Sequence, residues 1–174
     1  MAITKPLATL LWLLLAFASV PTTFALPTDR HATIRIESDR ASINDKTGVT
    51  LYEGSVIMRQ GSIKITADKV TIYSNKGQAN RIIFKGSPVN YRQRPESGTG
   101  FVIARAKTIE YRLDKDVLLL VDDASLVQEG LALNGSTINY DLKAERVEAS
   151  GDSSGSQRVR MVIPQSQQKF QSTP

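Results

Sequence analysis

Between residues 33 and 147 the chain alternates apolar and polar residues in short runs, and this periodicity limits its fold more than any other feature. The alternation is explicit at Thr33-Ile34-Arg35-Ile36-Glu37, Ser62-Ile63-Lys64-Ile65-Thr66 and Lys69-Val70-Thr71-Ile72-Tyr73. A period of two puts one apolar face and one polar face on an extended strand, the pattern of a half-buried antiparallel sheet. No window carries a 3.6-residue apolar stripe of helical type. Turn chemistry separates the runs. Asp45-Lys46-Thr47-Gly48, Ser74-Asn75-Lys76-Gly77, Leu113-Asp114-Lys115-Asp116 and Asp141-Leu142-Lys143-Ala144 each join two of them. Asn and Asp accept local turn hydrogen bonds, and Gly accepts positive φ. The lysine in every one of these turns reads as a solvated tip in preference to a ring of phosphate ligands.

The runs repeat. Ile43, Ile72, Ile109 and Ile138 sit in similar contexts. The step from Ile43 to Ile109 equals the step from Ile72 to Ile138, an offset of 66 in the numbering, so one unit is expected to occur twice. A second marker falls between the isoleucines, at Gly54-Ser55, Gly86-Ser87, Asp122-Asp123 and Gly151. Each unit is thus a strand, a turn, a strand and a Gly corner. A single such layer cannot bury its apolar face, so successive layers must cover one another. The predicted fold is all-β: stacked antiparallel strands in two facing sheets, open at both ends, with glycine where a strand bends from one sheet to the other.

Residues 1–25 do not belong to this pattern. Lys5 precedes an apolar run from Leu7 to Val20, and Thr23-Phe24-Ala25 supplies small residues at −3 and −1, so this segment is expected to be an export signal. Residues 26–163 are expected to form one domain, and 164–174 a polar, disordered tail. Removing the signal takes Lys5 from the 22 bases and leaves 21 against 17 acids, a mild surplus with no basic stripe for nucleic acid. The chain has no cysteine and one histidine, His31. Thiol nucleophiles and Cys/His metal centres are therefore excluded, and a Ser-His-Asp triad would have to recruit His31 from a chain end. Asp122 and Asp123 form an acidic pair, but adjacent residues on a strand point to opposite faces. No catalytic, metal or cofactor site is expected.

Assigning faces strand by strand gives the inward candidates. Those placed on a lipid-binding surface are Ile36, Leu51, Val56, Met58, Ile65, Ile72, Phe84, Tyr91, Ile109, Leu119, Leu126 and Leu133. Such a set serves as a plain core. If the two sheets splay, the same faces line a groove in which each buried methylene contributes about 0.8 kcal/mol. The first strand, 32–37, and the last, 158–163, carry no bulge or internal proline, so both edges are open to a further strand. Ile34, Ile36, Val159 and Met161 mark these joining edges.

The run from Tyr52 to Val70, with Gly54-Ser55-Val56 and Gly61-Ser62-Ile63-Lys64-Ile65-Thr66-Ala67-Asp68-Lys69-Val70, resembles the most recognisable segment of the OstA-like family of periplasmic lipopolysaccharide-transport proteins. Ile34 to Asp39, Ala106 to Tyr111, Asp114 to Val117, Ile138 to Tyr140 and Arg158 to Pro164 are similar to it as well. The resemblance spans residues 32–164. It implies a V-shaped β-jelly roll whose apolar interior holds lipid A acyl chains, with Tyr91 an interior aromatic. It implies a bridge that carries lipopolysaccharide from the inner to the outer membrane. It also implies head-to-tail homo-oligomers in the periplasm, an inner-membrane LptC-like partner at the N-terminal edge, and an outer-membrane LptD-like translocon at the C-terminal edge. The chain departs from the family where Asp122-Asp123 replaces a Gly corner, so that bend is expected to differ. The alternative is a structural or chaperone-like β-module with a closed core that binds protein partners through its edge strands.

Overall fold

The computed structural model describes residues 29–95 and 100–165. The expected export signal lies outside the described residues, as does the tail beyond Gln165. A short 3-10 turn, Asp29–His31, leads into ten strands. These are β1 Arg35–Glu37, β2 Arg40–Asn44, β3 Val49–Gln60, β4 Ile63–Asn75, β5 Gln78–Gln93, β6 Val102–Arg112, β7 Val117–Gln128, β8 Leu131–Asp141, β9 Arg146–Ser150 and β10 Arg160–Val162.

All pairings are antiparallel and follow chain order from β3 to β8. The six strands β3 to β8 each pass through both walls, so the two facing layers are one continuous sheet folded along a crease. β1 and β2 pair with the two halves of β3, and β9 and β10 with the two halves of β8. The first and last strands are shorter than the sequence implies: pairing begins at Arg35 and ends at Val162.

The crease is written in the backbone. Pairing between neighbours is interrupted at 54–55, 67–68, 86–88, 106–107 and 122–123, and at Ser136 on β8. Register interruptions of this kind bend a strand and re-aim its side chains. Gly54 needs its glycine: φ is 82°, and a Cβ would collide with the Asp39 carboxylate.

The Asp122-Asp123 bend does not differ from its counterpart. Gly54 and Ser55 take φ of 82° and 47°, and Asp122 and Asp123 take 62° and 53°. Asp is one of the few side chains that enters the left-handed region readily, so the pair makes the turn that glycine makes elsewhere. An offset of 68 in the numbering relates the two corners. The same offset relates Ala67 to Gly135, Val70 to Ile138 and Ile72 to Tyr140. The repeat offset is therefore 68 and not 66, and Ile109 and Ile138 share a row with Val70, not Ile72.

Candidate functional site

Opposed residues of an antiparallel sheet share a face, so the pairing registers define rows running across all the strands. One inward row on the second wall reads Ile36, Met58, Ile65, Tyr91, Ala104, Leu126, Leu133 and Met161. On the first wall, one row reads Ala41, Tyr52, Val70, Phe84, Ile109, Leu120, Ile138 and Ala149. A parallel row reads Ile43, Thr50, Ile72, Ile82, Tyr111, Leu118, Tyr140 and Val147. Eight strands at the usual spacing make each row roughly 34 Å long.

The buried residues of both walls form a single cluster, so the walls pack on each other. The middle of each row is closed to solvent, and its ends are not. Met161 is 54% exposed and Ile43 67%. Val159, Val162 and Ile163 are exposed beside Met161. Ile34 and Ile36 lie half-buried against the same cluster at the other end. The apolar interior thus runs unbroken from one edge strand to the other and opens at both.

Most of the residues predicted to line a lipid surface are on these rows. Val56, Met58, Ile65, Phe84, Tyr91, Ile109, Leu126 and Leu133 are buried, and Ile36 and Ile72 pack at the margin of the cluster. Leu51 and Leu119 are not inward. Leu51 opposes Ser42 and Thr71, and Leu119 opposes Glu110 and Asn139, all on the outer face. Both precede a double left-handed corner, which carries the strand round the bend without exchanging its faces. Tyr52 and Val56 both point inward, as do Leu120 and Ala124. At the corner of β4 the faces do exchange, from odd to even residues. Leu120 takes the place expected of Leu119, and Leu118 is buried with it. The run Val117-Leu118-Leu119-Leu120-Val121 carries no polar residue to mark its outer side, so alternation alone could not have found them.

Polar groups collect at the mouth of the V. The Tyr91 hydroxyl donates to Gln93 Oε1 at 2.7 Å, and Gln93 Nε2 donates to Asp29 Oδ2 at 3.1 Å. Asp29 also accepts from the Ser62 N–H and hydroxyl, each at 2.6 Å, which ties the 3-10 turn to the β3–β4 hairpin. Burial raises the Tyr91 hydroxyl well above its ordinary value, and Tyr140, Tyr111 and Asp29 add to the shift. Burial likewise pushes Tyr111 and Tyr140 up to about 12. The three phenols therefore remain neutral, with their rings in the buried cluster. On the outside of the crease, the Asp123 carboxylate meets Lys107 Nζ at 2.7 Å and accepts from Gln157 Nε2 at 2.9 Å. The acidic pair is corner structure.

Comparison with known proteins agrees with this architecture. The family profile described as LptA/(LptD N-terminal domain) LPS transport protein matches residues 35–146. The lipopolysaccharide export system protein LptH of Pseudomonas aeruginosa is 37% identical over 146 residues, covering 80% of this chain and 83% of that protein. LptA of Escherichia coli K12, named as a protein of the same export system, is 34% identical over 152 residues, covering 86% and 80%. The crystal structure of LptH, the LptA-homologous periplasmic component of the lipopolysaccharide transport device of Pseudomonas aeruginosa, superposes with a TM-score of 0.73 at 35% identity, covering 79% of this chain and 99% of that one. With its folded sheet, its interior rows and its matched span in agreement, the chain belongs to the LptA/LptD N-terminal-domain family of lipopolysaccharide-transport proteins.

Proposed function

We propose that this protein is a periplasmic, non-enzymatic carrier that conveys lipopolysaccharide from the inner to the outer membrane, holding lipid A acyl chains between its walls. The observation that carries the reading is the inward apolar row from Ile36 to Met161, continuous across eight strands, half-buried at Ile36 and exposed at Met161, with an edge strand at each end. An acyl chain entering between the walls exchanges water for aliphatic and aromatic contacts, worth about 0.8 kcal/mol per methylene. Joining copies through β10 of one and β1 of the next aligns Met161 with Ile36 and extends the row. The same edges would serve an LptC-like protein at β1 and an LptD-like translocon at β10, each by strand addition.

The packed interior favours a second reading, a closed β-module that binds proteins through its edges. Photo-crosslinking amino acids at Phe84 and Tyr91 decide between the two in cells. Carriage requires lipopolysaccharide adducts at both positions and none at Lys85 on the outer face of the first wall. Adducts to protein partners at β1 and β10, with no lipid adducts inside, would establish the closed module instead.

A further inference from the structure

The outer face of the second wall carries a row that neither the core nor the joining edges use. Following the registers, it reads Arg35, Arg59, Lys64, Arg92, Ile103, Val127, Ala132 and Val162. Its first four members are cations standing side by side on β1, β3, β4 and β5. Like charges directly opposite one another destabilise a sheet. Glu37 meets Arg59 at 2.8 Å; among the described residues, Arg35, Lys64 and Arg92 have no carboxylate partner. A further guanidinium, Arg94, is held next to the row's Arg92 by a shared aromatic ring. Arg92 and Arg94 lie 3.5 and 4.8 Å from the centre of the Phe101 ring. Stacking on an aromatic face positions a guanidinium while leaving its N–H edges free for an anion. Arg59 and Lys64 flank the Gly61-Ser62 turn, so the row lies about 7 Å from the rim of the V at two residues of extended chain.

We propose that this row is a phosphate-recognition strip, and that its ligand is the phosphorylated sugar headgroup of the glycolipid whose acyl chains occupy the interior. The inference deepens the carriage reading and rests on it for the choice of headgroup. The charge complementarity is direct: spaced cations with forked donors match spaced phosphate oxygens. A headgroup emerging at the mouth folds over the Gly61-Ser62 turn to reach Lys64, Arg59 and the Arg92–Arg94 pair. The remaining half of the row, Ile103 to Val162, is apolar and takes no part.

The test separates headgroup from chain. The wild-type chain beginning at Leu26 is titrated with a deacylated, bisphosphorylated glucosamine disaccharide at low salt, followed by calorimetry. Binding should weaken as salt rises, since exposed charges are screened. It should fall by about ten-fold or more in K64E/R92E, as expected for reversing two contact charges, while K64R binds as wild type. Thermal melts confirm that the variants fold; if K64E/R92E does not, K64Q is titrated in its place and should weaken binding. No binding to the wild type, or equal binding to the variant, overturns the strip. Displacement by inorganic phosphate at equal concentration overturns the headgroup assignment and leaves a general phosphate site. Carriage fails independently: disaccharide binding without lipid adducts at Phe84 and Tyr91 keeps the strip and removes the interior, and adducts without disaccharide binding do the reverse.

Discussion

The middle and the ends of the inward row are built from similar side chains and have different work. Met58, Ile65, Tyr91, Ala104 and Leu126 are at most 1% exposed, whereas Met161 at the far end of the same row is 54% exposed. The middle residues have a neighbouring strand on each side and the opposite wall above them. Met161 has β8 on one side only. One residue type in one register thus stabilises the fold in the centre and presents an adhesive surface at the edge. Position along the row, not chemistry, decides which.

Three substitutions sharpen or break this contrast. Phe84→Ala removes a fully buried ring from the centre of the first wall and should cost about 3–5 kcal/mol, read from the denaturant midpoint. A loss under ~1 kcal/mol would mean that the interior is loose enough to absorb a vacancy. Met161→Asp should leave the melting temperature within a few degrees, because the side chain is half in solvent. It should abolish any concentration-dependent self-association seen by sedimentation velocity or light scattering, since a carboxylate would then enter an apolar row. A large drop in melting temperature would assign the end to the core after all.

The smallest effect concerns the loop that delivers β10. Hydrogen bonds from the Ser156 hydroxyl, the Gln157 N–H and the Ser154 hydroxyl hold the Asp152 carboxyl down at about 2. A carboxyl depressed by folding stabilises the folded loop above its unfolded value near 4, and that contribution is lost as pH falls from about 4 to 2. Relative to the intrinsic rate at each pH, amide exchange at 160–162 should therefore quicken over that interval while exchange in β4 and β5 does not. Asp152→Asn should produce the fast exchange already at neutral pH. Equal quickening in the middle strands would report global unfolding and dissolve the distinction.

Much of this arrangement is legible in the sequence, and the parts that are not share one cause. Alternation locates strands and faces wherever a polar residue marks the outer side, as at Ile63-Lys64-Ile65 and Val70-Thr71-Ile72. Turn residues locate the rims. What alternation does not carry is whether the phase changes at a bend, as it does in β4, or is kept, as in β3 and β7, because that depends on backbone dihedrals. Leu51 and Leu119 occupy equivalent places in the two repeats and are misplaced for the same reason. Gly54-Ser55 and Asp122-Asp123, just beyond them, take the same conformation beneath different side chains. The equivalence of those corners also corrects the repeat length. The cationic row escapes notice in the sequence because Arg35, Arg59, Lys64 and Arg92 come together only when four strands are in register.

The interrupted pairing along the crease has a mechanical consequence. Each of the six long strands is hydrogen-bonded to its neighbours on either side of the bend and released at it. The two halves of the sheet resemble the covers of a book sewn at the spine: they can swing apart without a stitch being cut. Under the proposed carriage, widening would cost contacts between facing side chains and spare the backbone ladder, so cargo thickness would be accommodated by an angle and not by unfolding.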